Sequence, residues 1–222
     1  MKSKPAAVPH AFRPKDLVGG HVVLDFVNTV NGRDRDPSDW LDAYPRLLEW
    51  AALTGAFPRG TLSAVERLAR ADRAGARRAL EAARRLREAL WEILHARARR
   101  KPPPAAALGE IERFWKRAAA AATLERSPEG FGPVLRAGRA GLDLPAFEIV
   151  LRALSLLAAL PDRRLRVCDG HPCGWLFLDA SKAGRRRWCD MATCGNLAKA
   201  RRHSARKKKP RSRRRAASPP AV

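Results

Sequence analysis

The chain of 222 residues carries four cysteines, and all of them fall in one stretch, CDGHPCGWLFLDASKAGRRRWCDMATC. Their pattern is C-x4-C, a spacer of fifteen residues, then C-x4-C, using Cys168, Cys173, Cys189 and Cys194. Two thiol pairs joined by a short spacer can close onto one tetrahedral ion, each pair forming a tight knuckle. Zinc bound in this way supplies folding energy that so small a unit cannot draw from its own core. Two disulfides are the first competing reading. The start of the chain, MKSKPAAVPHAFRPKD, has no apolar core of a signal peptide, which points to a reducing compartment where disulfides are rare. A thiol redox centre is the second, but neither pair has C-x-x-C spacing. Unliganded cysteines are the third. Structural zinc is the expectation, and four thiolates leave no coordination position open for catalysis. His171, inside the first knuckle, is expected as an exposed turn residue and not a ligand.

The cysteine stretch also sits in the most basic part of the chain. The formal net charge is +23, and from Arg163 onward 18 Lys or Arg face 3 Asp or Glu, giving +15. Before that point the count is 27 against 19, giving +8. Arginine outnumbers lysine 35 to 10, as a GC-rich genome would produce. Such drift does not account for so few acids among the last bases. A basic stripe of this kind is the electrostatic footprint of a nucleic-acid binder. The longest apolar run, LRALSLLAALP, is too short for a membrane span.

Hydrophobic periodicity predicts a mainly α-helical region ahead of the cysteines, with one small β-hairpin. VVLDFVNTV reads as a strand or as the first turns of a buried helix. Pro45 and Gly55 bracket a helix with Leu47, Leu48, Ala51 and Leu53 on its apolar face. A long helical region follows from Thr61 to Arg100, interrupted near Gly75, and the prolines at 102–104 stop it. A further helix over 105–120 is expected to bury Leu108, Ile111, Trp115 and Ala118. Turn residues between 121 and 141 suggest the hairpin. A last helix runs from Asp143 and Pro145 to Leu160, and Pro161-Asp162 makes a hinge into the finger. The expected division is a flexible arm over 1–16, a helical domain over 17–162, a zinc finger over 163–206 and a disordered basic tail over 207–222.

No phosphate loop, dinucleotide fingerprint, H-E-x-x-H or nucleophile elbow occurs. No enzymatic activity is therefore expected. Asp25, Asn28, Thr29 and Arg33 are short polar or charged residues in or beside an apolar segment. They would either line a ligand pocket or be satisfied internally. Around the second knuckle, Arg185, Arg186, Arg187, Lys199, Arg201, Arg202 and Arg206 are candidate nucleic-acid contacts. Asn196 would read an adenine edge or act as a local hydrogen bonder.

The run RRRWCDMATCGNLAKARRHSAR resembles the CGNR zinc-finger family, whose mark is a C-terminal W-C-x-M-x-x-C-G-N-R followed by a basic helix. Trp188, Cys189, Met191, Cys194, Gly195, Asn196 and Lys199 carry the likeness, with Trp175, Leu176, Phe177 and Asp179 before them. It covers residues 163 to 206. Leu197 stands where the family has arginine. Upstream, LDFVNTV at 24–30, Arg33 and LDAYPRLLEWAALTG at 41–55 are similar to the ABATE domain that precedes this finger in the family. The resemblance implies a bacterial, cytoplasmic and nucleoid-associated transcriptional regulator that responds to stress. DNA is then the expected partner, with RNA as an alternative, and an unidentified small molecule or protein as effector of the N-terminal domain. The rival expectation is a finger that only braces a ligand-binding, protein-binding or enzymatic domain.

Overall fold

A computed structural model describes residues 10–33, 35–127, 130–160 and 164–208. Helix α1 (Val22–Val27) opens the domain, with the His21 imidazole capping the Val23 N–H. The ambiguous apolar segment is thus helical at first and then turns into a short strand. That strand, β1 (Val30–Asn31), pairs antiparallel with β2 (Ser38–Asp39). Helix α2 (Tyr44–Thr54) has Pro45 in its first turn and ends on Gly55 at φ +66, the left-handed position that glycine adopts without strain.

The long helical region divides into α3 (Arg59–Ala71) and α4 (Arg73–Ala98). The break expected near Gly75 lies at Asp72. Asp72 ends α3 and accepts the Gly75 N–H at 2.7 Å, so its carboxylate caps the next helix while Gly75 continues it. A Cβ at Gly75 would lie 2.0 Å from that carboxylate, so a larger residue there would have to shift the Asp72 side chain.

Helix α5 (Ala105–Ala121) turns a different stripe inward from the one expected. Ala107, Ile111, Phe114 and Ala118 are buried, while Leu108 and Trp115 are 48% and 43% exposed. The two stripes share Ile111 and Ala118, so spacing alone does not separate them. The hairpin forms from β3 (Thr123–Ser127) and β4 (Gly130–Val134). A short helix α6 (Ala137–Ala140) leads to α7 (Leu144–Ala159), which is nearly all buried on one side through Phe147, Ile149, Val150, Ala153 and Leu156. Leu151, Leu154 and Leu157 are half-buried at its margin. Helix α4 runs through the centre, against α5 on one side and α1, α2 and α7 on others.

The finger begins with β5 (Leu165–Val167) paired to β6 (Leu176–Leu178). Its Leu165 and Leu176 belong to the main core of the helical domain, not to a separate one. The hinge expected at Pro161-Asp162 lies outside the described residues. The arm expected over 1–16 is folded from His10 onward. His10 stacks on Trp40 at 3.6 Å and bonds Asp16, which is itself buried; residues 1–9 lie outside the description. Helix α8 (Asn196–Lys208) runs two residues into the expected tail, and the rest of that tail also lies outside. Among the described residues, no helix is long and apolar enough to cross a membrane.

Candidate metal centre and nucleic-acid interface

The hairpin β5–β6 brings the first knuckle into place. Cys168 follows β5, Cys173 precedes β6, and the Cys168 N–H donates to the Trp175 carbonyl at 2.8 Å. The second knuckle ends in a wide turn, Met191–Gly195, capped by Asp190, whose carboxylate accepts from the Thr193 N–H and hydroxyl at 3.0 Å. The Gly195 N–H closes the turn on the Asp190 carbonyl. Cys194 lies inside that turn, one residue before the glycine that leads into α8.

All four sulfurs lie within 4.8 Å of one another. Cys173 and Cys189 are 3.8 Å apart, Cys189 and Cys194 3.7 Å. A tetrahedral zinc with Zn–S bonds of about 2.3 Å separates its sulfurs by about 3.8 Å, so the residues fit the ion. Cys168, Cys173 and Cys189 are buried, and Cys194 is half-buried. The Gly170 and Cys189 N–H groups both donate to Cys168 Sγ at 3.3 Å, stabilising a thiolate there. The hydrogen bond from the Cys173 thiol, then those of Cys189 and Cys194, hold the Cys168 thiol well below its ordinary value. Zinc takes the place of the protons that this cluster otherwise shares. The protein thus carries one structural zinc on these four cysteines. His171 is an exposed turn residue, as expected, and its carbonyl accepts from Arg201.

The expected nucleic-acid residues separate into two groups. Arg186 turns inward. It donates to the Trp188 and Cys189 carbonyls and lies over Phe177 at 4.7 Å, bracing the second knuckle. Arg187 pairs with Asp169 at 2.8 Å and lies over the Trp188 ring at 5.3 Å. Asn196 bonds locally, donating to the Ala192 carbonyl at 3.1 Å. Outward-facing are Arg185 and, on α8, Lys199, Arg201 and Arg202. Arg202 also lies over Trp188 at 5.8 Å. Arg206 falls on the same helix, and its side chain lies outside the description. Leu197 is 48% exposed and does not join the finger core of Trp175 and Phe177.

The four residues expected around a ligand pocket are spent inside the protein. Asp25 accepts from the Gly19 N–H at 2.8 Å. Asn28 clamps the finger, donating to the Leu176 carbonyl at 2.8 Å and accepting its N–H at 2.9 Å. Thr29 donates to the Phe26 carbonyl and accepts from Arg87, which grips Asp39 through two bonds of 2.7 Å. Arg33 binds Glu88 at 2.6 Å and the Val27 carbonyl at 3.0 Å. A buried polar group needs such partners, and here the chain supplies them for all of these groups but Arg33 Nε. A second contact reinforces the clamp: the Trp175 indole donates to the Val30 carbonyl at 2.9 Å. Sequence reasoning missed this seam. The signal was present in Asn28, a polar side chain in an apolar run that required a bidentate partner from somewhere.

A mainly helical domain carrying a closed four-thiolate centre on a β-hairpin defines a zinc-finger protein whose metal is structural. Residues 164–207 match the CGNR zinc finger. Residues 20–160 match ABATE, described as "Putative stress-induced transcription regulator", and since that match spans more than half the chain, the protein belongs to the ABATE family. The curated proteins gave no match.

Proposed function

We propose that this protein is a DNA-binding transcriptional regulator without enzymatic activity, with α8 and the basic run after it as the binding element. The observation that carries this reading is the placement of α8. It starts two residues past the last zinc ligand, and of its residues 196–205 only Ala198 is half-buried while the others are exposed. Lys199, Arg201 and Arg202 therefore stand on a helix whose base the metal holds rigid. Phosphate contacts of this kind supply affinity, and their geometry on a fixed helix allows bases to influence it. The helical domain serves as a sensor or partner-binding module, and the chain works in the cytoplasm on the nucleoid of a bacterium. Membership of a family described as transcription regulators supports the same direction.

The brace reading is favoured by a specific observation of its own. The β5–β6 hairpin shares the core of the helical domain and is clamped by Asn28 and Trp175.

Binding to genomic DNA fragments across a salt series, with and without chelator, separates the two. A regulator shows metal-dependent preference among fragments, on top of a salt slope of about 0.9 per phosphate contact. A brace shows neither preference nor metal dependence. The same series with RNA tests the other polymer.

A further inference from the structure

A second concentration of charge lies on the seam between the helical domain and the finger, and it shares no residue with the cavity beside α8. Strand β5 alternates. Leu165 enters the main core, so Arg164 and Arg166 flank it on the other face. Arg164 donates to the carbonyls of Asp179 at 3.0 Å and Ser181 at 2.7 Å. Arg166 donates to the Gly184 carbonyl, and its Nε is buried with no partner. Neutral carbonyls fix these guanidiniums in place without cancelling their charge.

Two more cations complete the ring. Arg100 follows the end of α4 at φ +55, a left-handed conformation that a side chain like arginine rarely adopts. Lys182 comes from the loop after β6. Among the described residues, none of the four has a carboxylate within 4.0 Å. Together with Ala98, Leu165, Ala183 and Gly184 they line a cavity of about 420 Å³, and among the described residues no Asp or Glu lines it. Asp179 is the acid whose charge reaches Arg166, but its oxygens already accept from Ser181 and the Arg186 N–H.

Four converging cations repel one another unless an anion joins them. Two fixed guanidiniums with an unused buried N–H suit the oxygens of a phosphoryl group, which accept forked donors and carry more than one charge. The volume, many times the ~30 Å³ share of a water molecule, leaves room for more than a single such group. We propose that Arg100, Arg164, Arg166 and Lys182 form a binding site for a phosphoryl-bearing anion on the seam between α4 and the β5–β6 hairpin. This site stands independently of the DNA reading, since none of its residues is on α8.

The test titrates pyrophosphate into the zinc-loaded full chain by calorimetry at fixed ionic strength. Wild type binds one equivalent saturably. The double variant Arg100→Gln/Lys182→Gln removes side chains that make no bond among the described residues, and it weakens binding at least tenfold while zinc content and melting temperature hold. Lys207→Gln/Lys208→Gln removes the same charge elsewhere and leaves the affinity within twofold. Absence of saturable binding, or equal loss from both double variants, overturns the site. Adding a short DNA duplex identifies the source of the phosphate. Displacement of pyrophosphate, with weaker duplex binding by Arg100→Gln/Lys182→Gln, assigns the site to a nucleic-acid backbone. Simultaneous binding of both assigns it to a free phosphorylated ligand.

Discussion

Gly170 occupies a point where the metal centre leaves no room for a side chain. A Cβ there would lie 2.8 Å from Cys194 Sγ and 3.2 Å from Cys168 Sγ, closer than carbon and sulfur tolerate. Both are zinc ligands, so neither can give way without opening the tetrahedron. Gly170→Ala is expected to lower zinc affinity by roughly 10–100-fold, the range seen when the surroundings of a metal site are disturbed. Chelator competition measures this, and an unchanged affinity would mean that the first knuckle is more pliant than its contacts imply. Cys189→Ser removes a ligand outright and should abolish zinc retention. Leu197 poses the opposite case. It is exposed beside Arg201 and Arg202, and a longer side chain meets no core there. On the DNA-binding reading, Leu197→Arg restores a guanidinium at the place where the CGNR pattern has one. It should tighten DNA binding about tenfold, the equivalent of about 1.4 kcal/mol, with zinc fully retained. Weaker binding at intact zinc content would remove this position from the interface.

Helix α1 shows how a single element carries both fold and pH response. Its Asp25 is buried, and burial pushes the carboxyl up to about 6 while the Gly19 N–H pulls it partly back. The folded protein therefore holds the proton more tightly than the unfolded chain does. Stability from this group is present at low pH and is lost as pH rises from about 4 through about 6, by roughly 2–3 kcal/mol. Asp25→Asn should remove that slope and stabilise the neutral-pH protein. Denaturant titrations of variant and wild type at pH 5 and pH 8 test it, and taking the difference between the two proteins cancels the common effect of acid on the zinc thiolates. Identical pH trends in both would show that the carboxyl is not perturbed. The same element marks how far sequence could reach. The Pro45 start and Gly55 end of α2 and the β3–β4 hairpin were legible because local chemistry determines them, whereas the apolar run of α1 fitted a strand or a helix equally. The break was legible near Gly75 but its residue, Asp72, was not, because a cap and its glycine partner are three residues apart and the glycine is the more conspicuous of the two. The inward stripe of α5 was half misread because two stripes fit one helical period. The cysteines were legible as a set because ligand chemistry fixes their spacing. The partner of Asn28 was not, because it lies 148 residues away in the chain, and the inward turn of Arg186 was not, because its nearby carbonyl partners come within reach only in the folded knuckle.

On the scale of the whole molecule, the helical domain and the finger share a core through Leu165 and Leu176, and a few polar bonds fix the register of that contact. Asn28 is 1% exposed and satisfies both backbone groups of Leu176, and the Trp175 indole holds the Val30 carbonyl. Leu176 lies two residues before Leu178, whose N–H bonds the Gly19 carbonyl at 2.8 Å, and three after the zinc ligand Cys173. Docking the hairpin and closing the knuckle thus act on the same short strand. Asn28→Ala strands the N–H and the carbonyl of Leu176 in a dry environment, at a cost of about 1–3 kcal/mol. If zinc binds the docked hairpin better than the undocked one, that cost appears in two places. The zinc-loaded protein unfolds at lower denaturant, and zinc affinity falls by up to roughly tenfold per 1.4 kcal/mol of lost docking. Linkage requires the converse as well: zinc must stabilise the helical domain of the wild type more than that of the variant. Chelator competition and denaturation with and without zinc, run on both proteins, measure all the terms of this cycle. A variant that is less stable but binds zinc as tightly as wild type would show that the two parts share a surface without sharing free energy. In that case the metal could order α8 but could not report the state of the helical domain to it.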